Sequence, residues 1–151
     1  MSQSLKQPPY LTVIRKVRFS SAHFLALPEL SDEENLERFG SSSNRYAHGH
    51  NYEMDVHVGG PCDPATGMVV NLKDIKTILQ EEVVARLDFK NLNHEVPFFK
   101  ENLPTLENMA MLLWEPLKAR IDALGLELIG IKINEADDLF VEYYGGKPVE
   151  L

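Results

Sequence analysis

The chain has 151 residues, 44% of them hydrophobic and 25% charged, with a formal net charge of -8. That balance excludes a disordered chain, the lack of a long apolar run excludes a helical membrane protein, and the acidity argues against nucleic acid as a general partner. One cysteine, Cys62, rules out an internal disulfide and fits a reducing compartment; with no signal-peptide stretch at the N-terminus, the expected location is cytoplasmic.

Residues 1–9 are polar and end in Pro8-Pro9, which reads as a flexible tail before a single domain over residues 10–151. From Tyr10 to Phe24, Val13, Val17 and Phe19 share one side, the alternation of a half-buried strand, and His23 has the same parity. A long polar segment follows, in which "SDEENLERF" forms one or two helical turns behind Ser31 as a cap. A second strand is expected from Ala47 to Val58, with His48, His50, Tyr52, Met54, Val56 and Val58 on one face and Asn51, Glu53, Asp55 and His57 on the other. "GGPCDPATG" reads as a turn.

Two helices come next. The first is capped near Asn71 and carries Leu72, Ile75, Ile78, Leu79, Val83 and Leu87. The second begins at Thr105, with a stripe of Leu106, Met109, Ala110, Leu113, Leu117, Ile121 and Leu124, and Pro116 should kink or shift it. Two final strands, "LELIGIKINEA" and "LFVEYYGG", are joined by a two-residue turn. The order β-β-α-α-β-β predicts an α+β unit: an antiparallel four-stranded sheet with both helices on one face. Its two open edges make oligomerisation the expected way to cover them.

Residues two apart on a strand point the same way, so His48 and His50 can reach one ion. His23 joins them if the first two strands pair in the right register. Three imidazoles without thiolate or carboxylate suit zinc with a fourth position left open, a catalytic rather than structural arrangement; iron or another imidazole-tolerant metal is the alternative. His57, a lone strand histidine on the polar face, reads as an ordinary surface or core residue.

The blocks "FSSAHFL", "LSDEENLERFG", "HGHNYEMDVHV", "DPATGMVVNLKDIK", "LDFKNLN", "TLENMAMLLW" and "INEADDLFVEYYGG" resemble, in order and spacing, the 6-pyruvoyl-tetrahydropterin synthase family over nearly the whole chain. The resemblance implies a tunnelling fold whose unit assembles into a trimeric barrel, with two trimers stacked as a hexamer and sites shared between subunits. It implies Zn2+ on His23, His48 and His50. It also implies action on 7,8-dihydroneopterin triphosphate, with triphosphate elimination and proton movement giving 6-pyruvoyl-tetrahydropterin; bacterial relatives make 6-carboxy-tetrahydropterin for deazaguanine synthesis. The pterin anchor carries over to Glu135, whose carboxylate can accept two parallel N–H bonds from a guanidine-like edge. Thr105, Glu107 and Asn108 match a block bordering the pterin pocket, although Thr105 is equally a good N-cap and Glu107 suits a first helical turn.

The chain departs from that family where protons are moved. Ser42 stands in the place of a catalytic cysteine, and Asp88 is followed by Phe89 in the place of a histidine. A thiol titrates near about 8.5 and is easily lowered to a thiolate, whereas a serine hydroxyl acts only beside an activating base. Substitutes are His94 as a relay from the same loop, with a surface histidine as the competing reading, and Tyr46 or water on the zinc in a slower or different reaction. A non-catalytic protein that keeps zinc and pterin without turnover is the reading from another class.

Overall fold

The computed structural model describes residues 7–148. The tail expectation falls mostly on residues 1–6, outside that range. Strand β1 (Tyr10–His23) and strand β2 (His48–Pro61) form a continuous antiparallel ladder; β4 (Glu127–Ala136) pairs with β2 and β5 (Leu139–Tyr143) with β4. To the four expected strands a two-residue strand, β3 (Lys90–Asn91), is added parallel to β1, giving the order β3-β1-β2-β4-β5.

Strand β2 runs three residues further than expected, through Gly59 and Gly60. Both remain in the ladder opposite Thr12 and Leu11, and a Cβ at Gly59 would sit 2.5 Å from the Ile129 side chain. Glycine here permits close packing rather than turning the chain.

Helix α1 (Asp32–Phe39) starts with a capping box: Ser31 accepts from the Glu34 N–H while the Glu34 carboxylate accepts from the Ser31 N–H. Helix α2 covers residues 72–87 behind Asn71, which caps it by accepting from the Lys73 N–H. Its middle, Gln80–Val84, is a π-helical turn. The cause lies in the spacing of Ile75, Leu79, Val83 and Leu87, all buried and four residues apart. Each four-residue step overshoots a 3.6-residue turn by about 40°, so a regular helix would rotate the later residues off the core. The wider turn removes that drift.

Helix α3 (Leu106–Asp122) is capped by Thr105 and runs through Pro116 without a break. Its buried stripe is the expected one with Trp114 added. Two expected positions are exposed: Leu72, the first residue of α2, and Leu124, which lies beyond the last residue of α3. Both helices pack on the sheet face carrying Phe19, Tyr52, Met54, Val56, Ile131 and Ile133, in one hydrophobic core.

The segment between β1 and α1 is organised by a residue that sequence pattern does not single out. Asn35 is 1% exposed; its Oδ1 accepts from the Leu27 N–H and its amide donates to the carbonyls of Leu27, Leu30 and Ser31. Replacing it with alanine removes the partner of the Leu27 N–H and of the Leu30 carbonyl, while the Leu27 and Ser31 carbonyls keep backbone donors. Asn35→Ala is therefore expected to cost about 1–3 kcal/mol, read as a lower urea midpoint with an unchanged slope.

Candidate functional site

The register of β1 on β2 sets His23 opposite His48 and Ser21 opposite His50, so the three imidazoles stand on one face at the strand ends. One nitrogen from each lies within 4.8 Å of the others. His23 is buried, and its Nδ1 lies 2.7 Å from the Pro104 carbonyl. A carbonyl only accepts, so Nδ1 carries the proton and Nε2 presents its lone pair to the cluster. Burial pushes the pKa of His23 below the ordinary imidazole value, against the smaller opposing effect of the Pro104 carbonyl, and does the same at His50. Neutral imidazoles are the ligating form.

The set fits zinc. Three nitrogens converge, one tautomer is fixed from outside the cluster, and His50 Nε2 is shielded from solvent with no hydrogen-bond partner among the described residues. Glu135 Oε1 approaches that nitrogen to 3.4 Å.

A cavity of about 300 Å³ opens beside the cluster, and His23, His48, Ser42, Thr105, Glu107 and Glu135 all line it. Ser42 is held there by its backbone, whose carbonyl accepts from the Leu25 N–H at 2.7 Å, two residues after His23. Thr105 caps α3 by accepting from the Asn108 N–H, and Asn108 donates to the Leu103 carbonyl. Sequence reasoning missed Leu139, Phe140 and Val141, which form another wall and carry no chemical signature. It missed Pro104 too, whose contribution is a carbonyl that any residue has.

The remaining expected residues lie elsewhere on the chain. Asp88 Oδ1 accepts from the Ser20 N–H at 2.8 Å, and the Phe89 N–H donates to the Ser20 carbonyl at 2.7 Å. Phe89 has φ 55°, a left-handed conformation uncommon for a bulky residue, and its side chain is 87% exposed. It lines a second cavity of about 390 Å³ with Ser20, Ser21, His50 and Lys90. His94 is exposed and its ring lies 5.8 Å from that of Phe24; it does not line the first cavity. Tyr46 is 97% exposed, and His57 lies on the opposite sheet face among Asp55 and Glu53.

Residues 12–146 match the family model described as 6-pyruvoyl tetrahydropterin synthase. The chain is 44% identical over 133 residues to the 6-pyruvoyl tetrahydrobiopterin synthase of Homo sapiens, covering 88% of this chain and 90% of that one. It is 42% identical over 151 residues to the protein of the same name in Poecilia reticulata, covering 96% and 99%. Among solved structures, the Caenorhabditis elegans 6-pyruvoyl tetrahydropterin synthase superposes with a TM-score of 0.85 at 35% identity, covering 94% of this chain and 100% of that one.

Removing a ligand from a three-histidine set leaves too few donors for tight binding. His48→Ala is expected to reduce zinc content from about one ion per chain to near zero, measured by elemental analysis after dialysis, with the fold retained by circular dichroism. Unchanged zinc in this variant would refute the three-histidine site.

Proposed function

The chain belongs to the 6-pyruvoyl tetrahydropterin synthase family, enzymes of tetrahydrobiopterin synthesis, and on that premise we propose that it is a zinc-dependent lyase that eliminates triphosphate from 7,8-dihydroneopterin triphosphate. The observation that supports this most directly is a cluster of three imidazoles, two of which, His23 and His48, share one cavity with Glu135, Thr105, Glu107 and Ser42. Zinc held by His23, His48 and His50 supplies Lewis acidity toward substrate side-chain oxygens. Glu135 receives the guanidine-like edge of the pterin through two parallel N–H bonds, and Thr105 and Glu107 border the ring. Among the alternatives, 6-carboxy-tetrahydropterin synthesis is less well supported, since the relatives above carry the biopterin name.

The proton-moving step is where this chain differs. Ser42 lines the cavity with a hydroxyl instead of a thiol. Asp88 is engaged with the Ser20 backbone and Phe89 offers no titratable group. A homo-oligomer, trimer or hexamer, is part of the reading: in one protomer Ser42 and Phe89 line different cavities, and a neighbouring copy is what would bring an Asp88–Phe89 corner to Ser42. Turnover is then slower than with a thiolate and an imidazole in those two places. A cytoplasmic location agrees with the single cysteine and with the lack, among the described residues, of any helix long and apolar enough to cross a membrane.

These two departures also favour a second reading, a protein that binds zinc and pterin without turning substrate over. One experiment separates the two: zinc-loaded protein is incubated with 7,8-dihydroneopterin triphosphate while triphosphate release and pterin products are followed by chromatography. Slow release with a 6-pyruvoyl product is expected, and tight pterin binding without release selects the second reading. Ser42→Cys combined with Phe89→His is expected to raise the rate by about 10²-fold or more, the usual worth of a positioned acid–base group. An unchanged rate would show that proton transfer here runs through other residues.

A further inference from the structure

The imidazole cluster stands between two cavities of opposite character. The one of about 300 Å³ has two carboxylates in its wall, Glu107 and Glu135, and no lysine or arginine. The other, of about 390 Å³, touches the cluster at His50 and has one lysine in its wall, Lys90, and no carboxylate. The sequence explains the space. Ser20 pairs with Asn51 and Ala22 with Gly49 across β1 and β2, so the sheet face away from the helices carries small side chains at this end. A Cβ at Gly49 would meet only the Ser21 carbonyl, at 3.5 Å. The next pair on that face, Arg18 and Glu53, is large and ion-paired. Strand β3 supplies a side wall by pairing Lys90 with Ser21 and Asn91 with Ala22.

The donors of this wall are not spent within the chain. Lys90 Nζ is 3.9 Å from Glu95 Oε1, beyond hydrogen-bond reach. Two acids flank the cavity, and both are turned to backbone: Glu95 Oε2 accepts from the Asn91 N–H at 2.6 Å, and Asp88 Oδ1 accepts from the Ser20 N–H at 2.8 Å. Ser20 Oγ donates to Asn51 Oδ1 at 2.7 Å, which fixes that amide, while its nitrogen makes no hydrogen bond among the described residues.

We propose that the Lys90 cavity is an anion subsite that holds the triphosphate end of the substrate, with the ring in the Glu135 cavity. The inference rests on the reading of the substrate as 7,8-dihydroneopterin triphosphate, a molecule ordered as ring, oxygen-bearing side chain and triphosphate. The chain offers a matching order: carboxylates for an N–H edge, imidazoles for the metal, then an ammonium and an amide for phosphate oxygens. Triphosphate placed beside Glu107 and Glu135 would meet two like charges, which sets the direction in which the substrate lies. In the oligomer proposed above, Phe89 would face a neighbouring Ser42. Phe89 is part of the Lys90 cavity's wall, so that contact would also open the subsite onto the neighbour's active site.

Inorganic triphosphate and biopterin probe the two ends separately, each titrated by calorimetry into the zinc-loaded full chain. Lys90→Gln is expected to weaken triphosphate binding about tenfold, and Lys90→Arg to retain it. Asn51→Asp keeps the acceptor for Ser20 Oγ and adds a negative charge to the wall; it is expected to weaken triphosphate at least as much. Biopterin affinity is expected to stay at the wild-type value in all three variants. Wild-type triphosphate affinity in Lys90→Gln, or no triphosphate binding by the wild type, would overturn the subsite. Equal loss of both probes in Lys90→Gln and Asn51→Asp would overturn it too, because it shows general damage rather than a lost anion contact. Failure of the wild type to bind biopterin would remove Glu135 as pterin anchor, and the triphosphate titrations would still decide the anion subsite.

Discussion

The site depends on the antiparallel register between β1 and β2, which holds for fourteen residues in each strand without interruption. A slip of one residue would send every side chain of a strand to the opposite face. Here that would turn His23 away from His48 and expose Phe19 in place of burying it. The pairs Val17–Met54 and Phe19–Tyr52 lie on the same face as the His23–His48 pair, so packing of the core and assembly of the imidazole cluster impose one and the same condition. A three-histidine set spread over two strands needs no separate device to hold it.

Around that frame, hydrogen bonds to backbone groups tie the loops to the strand ends. The Leu25 N–H holds Ser42, Asn93 clamps the Phe24 backbone through both its amide oxygen and nitrogen, and Ser20 holds Asp88 and Phe89. Among the described residues, two that are not glycine adopt left-handed conformations, Ala47 directly before His48 and Phe89 directly after Asp88. Such conformations persist only where surrounding contacts over-determine them, and they concentrate near functional positions. On the reading proposed above, that scaffold would present a hydroxyl at Ser42 and a phenyl ring at Phe89.

Much of this was legible in the sequence. Alternation located the strands, and Ser31, Asn71 and Thr105 each announced a helix start through the chemistry of an N-cap. Same-face reasoning joined His48 to His50, and parity brought in His23. What stayed hidden has physical reasons. Asn35 looks like any polar residue on an exposed helix until the chain folds back over it and offers four backbone groups to satisfy. The segment after α2 reads as loop because two-residue strands and single helical turns carry no periodicity. Tyr52 was counted with the apolar residues of its face. Its hydroxyl is shielded from solvent with no hydrogen-bond partner among the described residues, which only the folded chain reveals.

The π-helical turn in α2 bears on how this chain can vary in length. A turn of that kind holds one residue more than an α-helix of the same reach. Deleting one residue within Gln80–Val84 would restore ordinary winding while leaving the flanking segments in phase. The same deletion elsewhere in the helix would rotate everything beyond it by about 100° and draw it back by about 1.5 Å. Leu87 would then leave the core and Asp88 would lose the Ser20 N–H. Helix α2 thus contains a built-in length buffer, set a few residues upstream of the corner that leads to Asp88.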